Sequence, residues 1–176
     1  MRIVITGSPG TGKTAIAKAL AKKLSVELID IKRIVLQKKL REKNHEVDLK
    51  KLSRSLAFLK NKKSFIAEGH LACEIRLPAD FIFVLRAKPK ALNKRLSKRG
   101  YGRKKLDENI LSELLDYCTQ RAQTVYHKRP LELDTTHRSV SSCALVIEKA
   151  IKRKKKKLDA VDYSGELKRY LRLAGQ

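Results

Sequence analysis

The chain has 176 residues, a length that suits one α/β domain and leaves little room for a second. Lysine and arginine number 42 against 18 acidic residues, a formal charge of +24, where a magnitude of about 2–8 is typical of a small soluble domain. No apolar run approaches the ~20 residues of a membrane helix and no signal-type apolar segment opens the sequence, so neither a membrane span nor a secreted product is expected.

Arg2 to Thr6 reads as a short buried strand, and Ala15 to Leu24 as a helix with Ile16, Leu20 and Leu24 every four residues. Val26 to Ile29 is a second short strand ending at Asp30. Residues 30–48 are polar and irregular, apart from a helix expected around Ile34 to Leu40. Leu49, Leu52, Leu56 and Leu59 have helical spacing. Phe65 to Glu68 is a third strand, Phe81 to Leu85 a fourth, and Ala91 to Arg99 a basic helix closed by Gly100. Ile110, Leu114, Cys118, Ala122 and Val125 predict one long helix with a single apolar face. Leu131 to Asp134 is a fifth strand, and Ser139 is placed to N-cap a helix carrying Val140, Ala144, Ile147 and Ile151. Strands alternating with helices predict a parallel sheet with crossover helices. Composition changes after Ile151. Lys152 to Lys157 is an unbroken basic run, followed by a helix-like piece from Ser164 to Leu173. Such a run repels itself, so two readings stand: a helix end fraying into a mobile arm, or a solvated helix terminus.

Between the first strand and first helix, Gly7-Ser8-Pro9-Gly10-Thr11-Gly12-Lys13-Thr14 fits the phosphate-loop pattern G-x-x-x-x-G-K-[ST] at every fixed position. Glycines let backbone N–H groups turn inward around a phosphate, and the helix start adds its partial positive charge. Lys13 then reaches the β- and γ-phosphates, and the Thr14 hydroxyl takes a place on Mg²⁺. The motif predicts binding of a nucleoside triphosphate.

Three further groups carry chemistry. Glu68, ending the third strand, stands where a Walker-B acid holds Mg²⁺ or its water; the competing role is an acid capping the next turn. His70 either orients a water or nucleophile, or is simply solvated. The arginine-rich, Gly-containing segment from Lys94 to Lys105 puts Arg95 and Arg99 four apart on one helix face. It either closes over a transferring phosphoryl group or is a solvated basic face. Asp134 to Arg138 follows a strand end, where loops of such folds line the ligand crevice. Cys73, Cys118 and Cys143 lack C-x-x-C and metal-ligand spacing and are read as reduced thiols in a cytoplasm. The excess positive charge suits RNA, or equally a lysine-rich or high-temperature surface without a ligand.

The phosphate loop, Glu68-Gly69-His70, Arg99-Gly100-Tyr101 with the downstream Lys104 to Leu114 stretch, and Leu131 to Thr136 together resemble the adenylate kinase isoenzyme 6 family. These are small adenylate-kinase-like NTPases linked to maturation of the small ribosomal subunit. The likeness runs from Met1 to about Ile151 and divides the chain into a kinase domain, residues 1–151, and a basic C-terminal extension, residues 152–176. It implies a nucleoside monophosphate kinase-like P-loop fold with a five-stranded parallel sheet flanked by helices. It also implies a monophosphate segment at about 30–48 and a lid at about 98–108. The implied activities are phosphoryl transfer from ATP to AMP and ATP hydrolysis. Gly7, Gly10, Thr11, Gly12, Lys13, Thr14 and the Ala15 backbone are the implied nucleotide contacts, with Arg99 the lid arginine. Lys13, Glu68, His70 and Arg99 are the implied catalytic set, and Thr14 with Glu68 the implied Mg²⁺ site. A small-subunit ribosomal protein and rRNA are the implied partners. Two features depart from the family. Its acid-x-His motif often carries aspartate where Glu68 stands, and the 30–48 segment matches poorly, leaving Arg33 and Arg41 both open as the AMP-phosphate contact. A P-loop kinase of a small metabolite such as a sugar acid, and a nucleotide-switched assembly factor with little kinase activity, are the alternatives.

Overall fold

The computed structural model describes residues 1–42 and 46–174, so the part of the expected monophosphate segment at 43–45 lies outside the described residues. Five strands form one parallel sheet in the order β2-β3-β1-β4-β5: β1 Arg2–Thr6, β2 Leu28–Asp30, β3 Phe65–Glu68, β4 Phe81–Arg86 and β5 Leu131–Asp134. Parallel strands require crossovers, and these are helical: α1 Lys13–Leu24, α2 Ile31–Gln37, α3 Leu49–Ser55, α4 Pro89–Ser97, α5 Arg103–Leu114, α6 Tyr117–Tyr126 and α7 Val140–Lys152, with α8 Ser164–Ala174 last. The two-residue period of β1 decides which core each side chain joins. Ile3 and Ile5 pack with α1 and α7 on one face, and Val4 packs with α2, α3 and α6 on the other. A third apolar cluster joins Leu92 and Leu96 of α4 to Leu106, Ile110 and Leu114 of α5 and to Tyr163.

The strands fall where their apolar patterns place them, within two residues. The helix expected at Ile34 to Leu40 begins at Ile31, because the Asp30 carboxylate accepts from Arg33 N at 3.0 Å and caps it. Asp48 caps α3 in the same way, and Leu56 and Leu59 continue as a 3-10 turn, Ala57–Asn61. Ser139 caps α7 by accepting from Ser142 N.

Two expectations are corrected. The long helix from Ile110 to Val125 is two helices, α5 and α6, broken at Asp116, whose φ of 53° is left-handed. The apolar face is also split: Ile110 and Leu114 serve the α4 cluster, whereas Cys118 and Ala122 face the sheet. The second correction concerns the mobile arm. Lys152 to Lys157 are solvated, but Lys154 turns the chain with φ 48° and Lys155 N donates to Ala150 O. The strand-like stretch that follows docks. Asp159 accepts from Asp134 N at 2.9 Å and pairs with Arg138 at 3.1 Å, Tyr163 is buried, and α8 packs on α5.

Candidate functional site

Strand ends set the site. Gly7 leaves β1 with φ 136°, and a Cβ there would stand 2.3 Å from the Leu85 carbonyl oxygen, so only glycine fits. Gly12, with φ 92°, is the N-cap of α1; no side chain caps that helix and its first turn holds no acid, leaving its N–H groups open to an anion. The Lys13 ammonium folds back to donate to the Gly7 and Ser8 carbonyls at 2.8 and 2.9 Å, and burial lowers its pKa. It lies within the loop, held by the carbonyls, rather than reaching into solvent. Thr11 is fully buried, its hydroxyl donating to Ser8 O at 2.8 Å, so its side chain is structural.

At the ends of the neighbouring strands, Asp30 and Glu68 lie in register. Thr14 Oγ1 donates to Glu68 Oε1 at 3.0 Å. Burial raises the Glu68 pKa, Thr14 opposes that shift, and Asp30 adds to it. A buried carboxylate beside a second one and a hydroxyl is an oxygen donor set that suits a hard divalent cation. Among the described residues no three His, Cys, Asp or Glu gather to hold a metal alone, so such a cation must share its coordination with substrate oxygens and water. His70 opens on the same cleft. Burial, followed by the charges of Lys13, Lys32 and Arg41, lowers its pKa to about 4, which keeps the imidazole neutral near pH 7.

One cleft of about 510 Å³ collects most of these groups: Gly10, Gly12, Lys13, Thr14, Ala15, Glu68, His70 and Arg99 all line it. Gly7 and Thr11 lie beneath it. The sequence left Arg33 and Arg41 open, and it is Arg41, together with Lys32, that faces the cleft. Arg95 and Arg99 do not share a helix face, since α4 ends at Ser97. Arg95 instead fastens the phosphate loop to the β5 end, donating to Gly10 O at 3.2 Å and Thr135 O at 2.8 Å. Asp134, His137 and Arg138 face a second cleft of about 550 Å³, closed on one side by residues 158–163.

Sequence reasoning missed the buried support of the loop. Ser8 Oγ donates to Glu113 Oε2 at 2.6 Å, and Glu113 Oε1 accepts from Arg86 Nε at 2.8 Å and Ala87 N at 3.0 Å. Arg86 also pairs with Asp116 and Glu132, and its guanidinium lies 5.1 Å from the Tyr163 ring centroid. A signal was present: an arginine ending the apolar run Phe81-Ile82-Phe83-Val84-Leu85 needs a buried partner.

A phosphate loop at the carboxyl end of the central strand, with acids at the ends of both strands beside it on one side, is the build of a small P-loop kinase. The AAA domain family matches residues 3–116. Provisionally named adenylate kinases of Methanocaldococcus jannaschii and Thermococcus kodakarensis are 38% and 36% identical, over 98% of this chain and 98% and 100% of theirs. The chain belongs to this adenylate-kinase-like family. A shikimate kinase from Acinetobacter baumannii in complex with shikimate shares the fold with a TM-score of 0.67, at 19% identity over 88% of this chain and 94% of that one. Because the relatives cover 98% of the chain, the similarity extends past Ile151 into the docked C-terminal segment. Among the described residues no helix is long and apolar enough to cross a membrane.

Proposed function

We propose that this protein transfers a phosphoryl group from ATP to AMP, with ATP hydrolysis as a side reaction, and that it does so in the service of small ribosomal subunit maturation. The observation that carries the kinase reading is that one cleft joins the phosphate loop, the Glu68-x-His70 pair, the lid residue Arg99 and two further cations, Lys32 and Arg41. The names of the archaeal relatives support the same acceptor. In this reading Gly10, Gly12, Lys13, Thr14 and Ala15 hold the ATP phosphates, and residues 30–48 and 98–108 serve as monophosphate segment and lid. Mg²⁺ bridges phosphate oxygens when bound, with Thr14 and Glu68 as its protein side. Lys13 and Arg99 neutralise charge developing on the phosphoryl group, and neutral His70 orients the attacking oxygen or its water. Positioning and electrostatics supply the rate, without a covalent intermediate.

The ribosomal part rests on the charge of +24 and on the solvated Lys152–Lys157 run, which suit contacts to RNA phosphates. A cytoplasmic location with reduced thiols accords with three free, buried cysteines. A coupled assay decides the acceptor: ADP forms faster with ATP and AMP than with ATP alone. If AMP changes nothing while a sugar acid or another monophosphate does, the acceptor is wrong.

A further inference from the structure

We infer that Cys73 and Cys118 form an oxidation-sensitive dithiol in the wall of the phosphate-loop cleft, closing to an intrachain disulfide on reaction with a hydroperoxide. The sequence holds them 45 positions apart with no redox motif; the fold brings them together. Cys73 ends the 3-10 turn His70–Cys73 that follows β3, and Cys118 lies in the first turn of α6. Three contacts fix the turn against the helix on either side of the pair. Tyr126 Oη donates to Ala72 O at 2.9 Å, Tyr117 Oη to Glu74 Oε1 at 2.6 Å, and Arg121 Nε to Glu74 Oε2 at 2.7 Å. Within this frame the two thiols are hydrogen-bonded to each other, and both line the cleft.

The two sulfurs differ, which assigns their roles. Cys73 is 1% exposed and its Sγ also approaches the His70 carbonyl at 3.0 Å, which holds its proton in place. Cys118, 6% exposed, stands at a helix N-terminus and feels the Lys13 ammonium. Both of these features favour a thiolate. Its pKa is accordingly lowered, first by the hydrogen bond from Cys73, against the opposing effect of burial. Cys118 is therefore the attacking thiol and Cys73 the resolving one. Cys143 is a built-in control, buried on the opposite face of the sheet in the core of α1 and α7.

The chemistry balances with the hydroperoxide as the oxidant. The Cys118 thiolate attacks one peroxide oxygen; an S–O bond forms, the O–O bond breaks, and the leaving oxygen takes a proton to become an alcohol, or water from hydrogen peroxide. Cys73 then attacks the Cys118 sulfur. The S–S bond forms, the S–O bond breaks, and hydroxide leaves with the Cys73 proton as water. Two electrons pass from the thiols to the peroxide, and a dithiol reductant reverses the change. Closing hydrogen-bonded sulfurs to a bond of about 2 Å moves side chains rather than helices. The link would tie α6 to the turn that begins with His70 and remove the thiolate beside Lys13, so nucleotide turnover should fall. That last consequence rests on the proposed function; formation of the bond does not.

The test uses the full chain, folded, exposed to hydrogen peroxide and then alkylated with N-ethylmaleimide in denaturant. Intact mass should show a loss of about 2 Da with one alkylation, at Cys143, and peptide mapping should join the peptides of Cys73 and Cys118. Dithiothreitol should restore three alkylations. Cys73→Ser should instead accumulate a dimedone-reactive sulfenic acid at Cys118, and Cys118→Ser should leave Cys73 reduced. Free Cys73 and Cys118 after treatment, over-oxidation of either without a disulfide, or oxidation of Cys143 at the same rate would overturn the proposal. ATP turnover measured on the same samples tests the consequence separately. A disulfide with full turnover removes the switch, whereas no turnover before oxidation counts against the kinase reading alone.

Discussion

Glu113→Gln tests whether the buried network around Arg86 holds the phosphate loop in place. Glu113 and Arg86 are each 1% exposed, so neither can exchange its partner for water. The glutamate accepts three hydrogen bonds, from Ser8 Oγ, Arg86 Nε and Ala87 N. Breaking a buried ion pair from one side costs about 3–5 kcal/mol when the other charge is stranded. Here it is not fully stranded, because Asp116 and Glu132 still face the guanidinium and the Gln carbonyl can keep the Arg86 and Ala87 bonds. The expected loss is therefore at the lower end, about 2–3 kcal/mol. For a chain of this size that corresponds to a melting temperature lower by roughly 4–12 °C. The change also leaves an amide facing Ser8, so the KM for ATP should rise while the variant still folds. Urea unfolding followed by circular dichroism gives the stability. A double-mutant cycle with Ser8→Ala gives the part transmitted to the loop, since the two changes should add to less than their sum. A variant within about 0.5 kcal/mol of the parent would mean that Arg86 is satisfied by Asp116 and Glu132 alone, and the reasoning would fail.

Lys13→Ala should abolish most turnover while the chain stays folded, and because the ammonium also closes the loop on the Gly7 and Ser8 carbonyls, a small loss of melting temperature should accompany it; unchanged activity contradicts the assignment. Arg41→Ala should raise the KM for AMP several-fold and leave that for ATP unchanged, and equal effects on both nucleotides would move Arg41 off the acceptor side. For His70 the folded pKa of about 4 lies below the unfolded 6.5. As pH falls the unfolded chain takes up the proton first, so its contribution is complete above 6.5 and is lost between 6.5 and 4. A nuclear magnetic resonance titration should find its midpoint near 4 in low salt and higher in high salt, because the ring is more than a third exposed and salt screens Lys13, Lys32 and Arg41. A midpoint at the ordinary histidine value in low salt would refute the electrostatic account.

What could be read from the sequence was what depends on neighbours along the chain. The phosphate loop, β3 and β5 are fixed by short-range pattern: glycine spacing, a run of apolar residues, a two-residue alternation. The break between α5 and α6 could not be read this way. A left-handed Asp116 costs backbone energy locally, and what offsets it is its carboxylate on Arg86, thirty residues upstream on β4. The docked tail has the same origin. Its basic run taken alone argues for an arm, but Asp159 on Arg138 and Tyr163 on Arg86 are partners no local window contains. Arg86 is thus the common term in the unread features. It ends β4 and bonds the residue that breaks the helix. Through Glu113 it reaches the phosphate loop, and its guanidinium receives the tail. One buried cation at a strand end ties together three segments that the sequence shows as separate, and the residues that catalysis uses are positioned from behind by it.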